Sequence, residues 1–331
     1  MRRNRRSENR FHTQSDNRRR QPPSGQQRRD RWAGVKAPSA ALQEFQSRIA
    51  LAPNRKIPLV GPGTPVTLRV LDLLCPVGFG QRALILAPPR TGKTTLLKDF
   101  CQGVTAGAHA AMLYCLLVDE RPEEVTDFRR SVKAEVFASS TDRPREEHLA
   151  VAATCLERVV AAALSGRDVV LVVDSLTRLA RAHNLNTRTG HTMSGGLDAS
   201  ALELPKRLFG AARQLENGGS LTILATALID TGSQMDDVIA QEFKGTGNME
   251  VVLDRRLADR RLFPAINIPA SGTRKEAQLL DPAALNTAHL LRRRVAELTT
   301  VEATKTVLAL FERTSTNEAL VGELGSYPGG L

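Results

Sequence analysis

Apolar and polar positions alternate regularly from about residue 66 onward, where short apolar runs are followed by longer segments with helical spacing. The apolar runs predict strands at 83–86, 111–118, 169–173, 221–227, 251–253 and 265–268. The helical spacing predicts helices at 94–104, 122–131, 146–164 and 199–217, with further helices between 282 and 320. Strands and helices that alternate in this way are typical of an α/β protein with a mainly parallel sheet covered by helices.

The chain before residue 66 has a different composition. Residues 1–38 are rich in Arg, Asn, Gln, Ser and Pro and contain almost no aliphatic side chains, so they cannot bury enough surface to fold alone. We predict a disordered Arg-rich arm over 1–38 and a linker with one short helix (40–49) over 39–65. A folded α/β domain with a C-terminal helical part is predicted over 66–331.

The net charge of +11 is concentrated at the start of the chain. Residues 1–36 hold twelve basic and three acidic residues, whereas the other 295 residues hold 34 basic and 32 acidic ones. The body is therefore nearly neutral and the arm is strongly basic. A polyanion is the natural partner for such an arm.

Cysteine usage and hydropathy indicate the cellular compartment of the protein. The four cysteines form no CxxC pair and show no zinc-ligand spacing, which fits the reducing cytosol. No apolar stretch reaches the roughly 18–20 residues that a membrane-spanning helix needs. We therefore predict a cytoplasmic protein with no membrane partner.

The segment 84–95 reads LILAPPRTGKTT and has the order strand, loop, helix. It matches the phosphate-binding pattern GxxxxGK[ST], except that Ala87 replaces the first glycine. In this pattern backbone N–H groups face the phosphates, Lys93 reaches the β- and γ-phosphates, and the Thr94 hydroxyl binds Mg²⁺. The alternative is an ordinary turn before a basic helix, which the flanking elements disfavour. The predicted nucleotide contacts along the loop are Pro88, Pro89, Arg90, Thr91, Gly92, Lys93, Thr94 and Thr95.

Two apolar strands end in acidic residues, as a phosphate-binding loop of this kind requires. Asp174 ends the run at 169–173 and can hold Mg²⁺ through water. Glu120 follows the run at 111–118 and can polarise an attacking water. The alternative role for an acid at either strand end is a helix N-cap.

Several longer motifs resemble one family, the bacterial transcription termination factor Rho. The similar segments are 119–126 (DERPEEVT), 174–182 (DSLTRLARA), 205–213 (PKRLFGAAR), 219–223, 225–232, 242–250 and 271–276 (SGTRKE). The resemblance runs from about residue 66 to 276 and more loosely to the end. Ala87 belongs to this family's own pattern.

The resemblance implies a RecA-like ATPase domain assembled as a homohexameric ring, with ATP and Mg²⁺ at the subunit interfaces. By position it assigns Asp174 the Walker B role and Glu120 the activation of water, and it places Arg121 at the nucleotide. Phe263 corresponds to the residue that stacks on adenine, although core packing is the alternative for an aromatic side chain. Arg274 corresponds to an arginine finger given to the neighbouring subunit, and Arg261 to a second interface arginine.

The resemblance also implies single-stranded RNA as a partner and leaves the transcription elongation complex with RNA polymerase as a possible one. Two loops correspond to the RNA-holding loops of the family's central pore, at 185–196 and 244–247. The alternative for each is a plain flexible surface loop. The predicted RNA contacts in them are His191, Thr192, Ser194, Lys244, Gly245, Thr246 and Gly247.

The sequence departs from the family pattern in three ways. Nothing before residue 66 shows the five strands or stacking aromatics of the family's RNA-binding OB domain, so we expect a short form in which the basic arm stands in its place. His191 and Arg90 stand where the family usually has lysine.

The sequence as a whole predicts an ATP-dependent, RNA-stimulated hexameric RNA translocase or helicase that acts in transcription termination. The alternative is a diverged relative that binds RNA or protein without termination activity. A rotary ATPase subunit or a DNA recombinase shares the fold but lacks the segment 119–124.

Overall fold

The computed structural model describes residues 38–186 and 193–325. Nearly all of the predicted arm, together with 187–192 and 326–331, lies outside these residues. Elements are numbered from the first one described. The domain boundaries drawn above therefore stay a prediction.

The core of the fold is a sheet whose six longest members, in the order β4-β3-β5-β7-β2-β8, are all parallel. Three short strands join it in antiparallel pairs: β9 on β8, β6 on β7, and β1 on β6. The strands are β1 Ala50–Leu51, β2 Arg82–Ala87, β3 Met112–Glu120, β4 Glu135–Ser140, β5 Asp168–Asp174, β6 Arg213–Leu215, β7 Ser220–Leu228, β8 Met249–Val252 and β9 Gly272–Thr273.

Helices connect the parallel strands, as a parallel sheet requires, and further helices precede and follow these strands. They are α1 Ala40–Ser47, α2 Val66–Leu74, α3 Lys93–Gly107, α4 Pro122–Ser131, α5 Arg145–Leu164, α6 Leu176–Asn186, α7 Glu203–Gly210, α8 Gln234–Phe243, α9 Arg255–Asp259, α10 Pro282–Arg294, α11 Thr300–Glu312 and α12 Asn317–Gly325. Short 3₁₀ turns lie at Ser194–Gly196, Ala199–Leu202 and Glu276–Gln278. The predicted α/β class with a mainly parallel sheet is confirmed.

Both faces of the central strands are buried, which explains their continuous apolar runs. In β5, all five residues from Val169 to Val173 are fully buried. Val170 and Val172 belong to the core that α2, α3, α10 and α11 share with one face of the sheet. Because side chains alternate along a strand, Val169, Leu171 and Val173 face the other way, toward the side where α5 packs.

Two predicted elements were wrong. The helix expected at 199–217 ends at Gly210, and Arg213–Leu215 forms β6 instead, because this segment fills the gap between β1 and β7. A Cβ on Gly80 would lie 2.4 Å from the backbone nitrogen of Gln214, so the two backbones are in close contact. The strand expected at 265–268 is reduced to one isolated bridge, between Leu253 and Ile266. It lies between Pro264 and Pro269, which have no N–H to donate.

None of the helices in the two described ranges is long and apolar enough to cross a membrane.

Candidate nucleotide-binding site

The phosphate loop connects β2 to α3 and is held in a defined shape. Arg90 and Gly92 have positive φ angles of 64° and 84°, and Gly92 is the N-cap residue directly before α3. The buried Thr91 hydroxyl donates to the carbonyl of Pro88 at 2.7 Å. The N–H groups of the first helical turn have no partner inside a helix, so they are free to bind an anion.

Lys93 lies at the start of α3 and faces the ends of two neighbouring strands. Its Nζ pairs with Oδ1 of Asp174, the last residue of β5, and lies 3.7 Å from Oε1 of Glu120, the last residue of β3. The same Asp174 oxygen accepts from the Thr226 hydroxyl at 2.8 Å. The structure therefore brings Lys93, Glu120 and Asp174 together at the carboxyl edge of the sheet, where ligands of open α/β sheets bind.

Glu120 is only 4% exposed, and its environment opposes ionisation. Burial, and secondarily the Asp174 carboxylate, raise the pKa of Glu120 to about 7, although Lys93 and Arg178 act in the opposite direction. Its Oε1 atom accepts no hydrogen bond from the described residues. A carboxylate with a pKa near neutrality and a free acceptor atom can take a proton from a water molecule.

Arg178 on α6 is a site residue that the sequence analysis did not single out. It donates to the backbone carbonyl of Asp119, and its Nη2 lies 3.4 Å from Oε1 of Glu120. The only sequence signal was its place in the segment 174–182, four residues after Asp174. It fixes the strand end that carries Glu120.

The predicted Mg²⁺ residues fit a nucleotide-bound ion better than a protein-only metal site. Thr94 lies in the first turn of α3, partly exposed, and Asp174 is nearly fully buried at a neighbouring strand end. In the described ranges no group of three or more His, Cys, Asp or Glu side chains could hold a metal. Mg²⁺ typically uses one or two protein ligands together with phosphates and waters, and Thr94 and Asp174 would supply the protein ligands.

An exposed aromatic side chain lies against the phosphate loop. Phe263 is 47% exposed, and its ring atoms would be 3.6–3.7 Å from a Cβ placed on Gly92. Core packing does not explain a phenylalanine that is half exposed. Its ring face is therefore available for a planar ligand next to the phosphate loop.

Two further predicted site residues near the carboxyl edge are exposed arginines. Arg261 is exposed and has a left-handed backbone (φ 59°), two residues before Phe263. Arg121 is exposed at the start of α4, with Nη1 3.7 Å from Glu124. The structure places both near the predicted site without assigning either a contact to bound nucleotide.

Arg274 lies at the opposite edge of the sheet. It follows β9, its N–H donates to the carbonyl of Asn248 at 2.8 Å, and its Nη2 lies 3.5 Å from the carbonyl of Gly245. The neighbouring Met249 is paired with Ala83, four residues before Ala87 at the loop. Four strand residues span about 13 Å, so Arg274 cannot reach the phosphate loop of its own chain.

The predicted RNA contacts fall into two separate places. His191 and Thr192 lie outside the described residues, and Ser194 is exposed at the start of a 3₁₀ turn. Gly195 in that turn packs on the start of α8, because a Cβ on it would lie 2.8 Å from the backbone nitrogen of Met235. The first loop is thus anchored beside the turn 231–235, which the sequence analysis did not single out. The structure gives residues 230 and 232 positive φ angles, and the glycine at 232 was the sequence signal for this turn.

The segment 244–247 follows the other end of α8. Lys244, Gly245 and Thr246 are exposed, whereas Gly247 is buried against backbone atoms. Ten helical residues separate it from the first loop, a distance of about 15 Å. The structure therefore does not bring the two predicted RNA loops together and places the second one beside Arg274.

Comparison with known proteins identifies related chains. A family model described as the nucleotide-binding domain of the ATP synthase alpha/beta family matches residues 67–273. The transcription termination factor Rho of Gemmatimonas aurantiaca is 50% identical over 290 residues, which cover 85% of this chain and 39% of that protein. The Rho proteins of Mycobacterium leprae and Karelsulcia muelleri are each 47% identical, over 87% and 83% of this chain and 48% and 73% of their own lengths. This chain thus spans less than half the length of the first two relatives.

Solved structures agree on the fold. An ATPase from the type III secretion system of pathogenic bacteria has a TM-score of 0.69 and 25% identity, covering 84% of this chain and 86% of that one. The assembled type III secretion ATPase of enteropathogenic E. coli has a TM-score of 0.67 and 23% identity, over 88% and 74%. The chain has the RecA-like P-loop fold that the sequence analysis expected.

Proposed function

The chain belongs to the transcription termination factor Rho family, and on that premise we propose that it is an RNA-stimulated ATPase that moves along single-stranded RNA in transcription termination. The observation that carries the ATPase part is the convergence of Lys93, Glu120 and Asp174 beside the phosphate loop. Its substrate is ATP, and its place of action is the cytoplasm. The transcription elongation complex is the proposed larger partner.

Each residue of the site has a distinct task in ATP hydrolysis. Lys93 and the loop N–H groups bind the phosphates, and Phe263 stacks on the adenine ring. Thr94 and Asp174 would hold Mg²⁺, Asp174 through water, and the ion would neutralise charge on the phosphates. Glu120 takes the proton of the attacking water, and Arg178 keeps the Glu120 carboxylate in position.

Arg274 completes the site of a neighbouring subunit. A guanidinium stabilises the charge that develops on the transferred phosphoryl group. Its distance from its own phosphate loop supports a contact in trans, which requires assembly of several copies. We propose a homohexameric ring, in line with the resemblance to the Rho family.

RNA is proposed to contact the loop at 185–196 together with the adjoining turn 231–235. Their proximity through Gly195 and Met235 supports one shared surface. The arm over 1–38 is proposed to collect RNA through its positive charge. The second predicted RNA loop, 244–247, lies at the other end of α8, and we propose that it contacts RNA at a separate point.

The direct test is the ATP hydrolysis rate with and without poly(C). We expect the wild-type rate to rise with poly(C) and the Lys93→Ala variant to be inactive. Lys98→Ala is the matched control, because Lys98 lies on the same helix and, among the described residues, forms an ion pair only with the exposed Asp127. A wild-type rate that does not respond to RNA contradicts the translocase, and an active Lys93→Ala variant contradicts the site.

A mixing experiment tests the contact in trans. Arg274→Ala and Lys93→Ala chains should each be inactive alone. Mixed in equal amounts they should recover about a quarter of the wild-type rate, because one interface type in four joins an intact loop to an intact arginine. Failure to recover activity in rings shown to be mixed would place Arg274 outside the site.

A further inference from the structure

We propose that a cationic cleft at the amino edge of the sheet receives the acidic start of α4 from a second copy of the chain, with Lys275 facing Glu123. This inference rests on the proposed function, because it takes Arg274 to act on a neighbouring site. The cleft has a volume of about 430 Å³ and lies between β1, β6 and the segment after β9. Its charged side chains are Arg82, Arg213, Arg274 and Lys275.

The positive charge in this cleft is not neutralised within the chain. None of the described residues that line it is acidic, and none of its four cations has a carboxylate partner in the described ranges. The buried Nε of Arg82 has no hydrogen-bond partner there. Burial lowers the pKa of Arg82, and burial followed by the charge of Arg82 lowers that of Arg213. An anion in the cleft would relieve both effects.

The available hydrogen bonds of Arg213 leave its charge uncompensated. Its guanidinium donates only to main-chain carbonyls, those of Gln46, Gly210 and Ala211, and it stacks over Phe45. Such contacts fix the side chain in place and add no negative charge. Arg213 therefore contributes a positive charge to the cleft that is fixed in place and not neutralised by these contacts.

An unpaired acidic side chain lies at the opposite edge of the same sheet. Glu123 is exposed in the first turn of α4 and forms no ion pair with the described residues. It follows the reacting Glu120 by three residues, less than one helical turn. Because the cleft lies at the amino edge and α4 starts at the carboxyl edge, one chain cannot join them.

The position of Arg274 decides which surfaces meet. If Arg274 of one copy reaches a phosphate bound at Lys93 of the next, the residues beside Arg274 must face the residues beside Lys93. Lys275 follows Arg274 directly, and Glu123 lies near Glu120, which is 3.7 Å from Lys93. Charge complementarity thus selects the start of α4 over other surfaces of the second copy.

Charge reversal tests the pairing. Glu123→Lys and Lys275→Glu should each raise the protein concentration for half-assembly by at least about tenfold, because each places like charges opposite one another. Assembly is measured by sedimentation velocity with Mg²⁺ and a non-hydrolysable ATP analogue. The double variant should return to within about threefold of wild type, because the pair is restored with inverted sign. Additive effects in the double variant, or no effect of either change, would overturn the proposal.

The controls reverse charges elsewhere on the surface. Glu157→Lys on α5 and Lys305→Glu on α11 are exposed and should leave the assembly concentration unchanged. Equal losses in these variants would mean that the effects reflect net charge alone, which also counts against the pairing. A pyrophosphate titration of the Lys93→Ala variant tests whether the cleft binds a small anion instead. If pyrophosphate saturates the cleft, and neither Glu123→Lys nor Lys275→Glu changes the assembly concentration, the cleft serves a small anion and the proposal fails.

Cross-linking gives a readout that is independent of activity. All four native cysteines are buried, so cysteines placed on the surface react alone. Chains that carry Glu123→Cys and Lys275→Cys together should form a ladder with a short bis-maleimide, and a mixture of the two single variants should stop at dimers. A cross-linked protein without ATPase activity would refute the proposed function and keep this interface. An active ATPase that forms no cross-links would refute this interface and keep the proposed function.

Discussion

Replacing Glu120 by glutamine should lower the rate of ATP hydrolysis and raise the stability of the folded chain. The change keeps the shape of the side chain and removes its ability to ionise. It should reduce ATP hydrolysis by roughly 10²–10⁴-fold, because the water loses its proton acceptor. In the absence of nucleotide the same change should make the folded chain more stable at pH 8, since it removes a buried charge.

The magnitude follows from the pKa of Glu120. Its pKa rises from 4.5 to about 7 on folding, so its contribution to stability is fully present below pH 4.5 and is lost as the pH rises through 7. That rise corresponds to about 3 kcal/mol. Glutamine does not ionise, so the variant shows no such loss. Its free energy of unfolding should exceed that of wild type by about 3 kcal/mol at pH 8 and by less than about 1 kcal/mol at pH 5.

Urea unfolding at pH 5 and pH 8, without ATP or Mg²⁺, measures both differences. Glu123→Gln is the matched control, because Glu123 is an exposed acid of the same segment and its replacement removes no buried group. A Glu120→Gln variant that is no more stable than wild type at pH 8 would refute the reasoning. It would mean that Lys93 and Arg178 outweigh burial and the Asp174 charge.

Three further outcomes follow from the structure and the sequence. Phe263→Ala should raise the KM for ATP by about tenfold with little change in kcat, while Phe263→Tyr retains wild-type values, because only the stacking surface is lost; steady-state kinetics decide it. Asp236 is buried and bonded to Arg181 at two positions, both 2.6 Å, and to Thr231 at 2.7 Å, so Asp236→Asn should lower the free energy of unfolding by about 2 kcal/mol in urea. Deleting 1–38 should weaken RNA binding and flatten its salt dependence, by a slope of about 0.7 for each lost phosphate contact, as read from filter binding at several salt concentrations; an unchanged slope would contradict the role of the arm.

Features set by neighbouring residues could be predicted from the sequence. The strand before the phosphate loop and the helix after it were found within a few residues, because apolar runs and helical spacing are local signals. Asp174 was found for the same reason, as the acid that ends a buried strand. Helix α4 was predicted with its observed limits, since Pro122 and two acids mark its start.

Features set by contacts between distant residues could not be predicted from the sequence. The segment around Gln214 has good helix formers, yet it pairs with β1 and β7, because tertiary contacts override a weak local preference. Arg178 carries no signal of its own, since its role depends on the distance to Glu120 across two strands. The separation of 244–247 from the first loop follows from the direction of α8, which no motif encodes.

The two edges of the sheet present different charged surfaces. The carboxyl edge holds the exposed Glu123, which has no ion pair among the described residues, beside the exposed Arg121 and Arg261; the amino edge holds Arg82, Arg274 and their neighbours with no acidic side chain among them. Because the two surfaces differ and lie at opposite edges, a two-fold dimer that pairs each surface with itself would bring like charges together. A head-to-tail contact instead joins unlike surfaces, and repeated contacts of that kind generate a ring when the rotation between subunits closes. The charge distribution of one chain therefore favours the assembly that its incomplete active site requires.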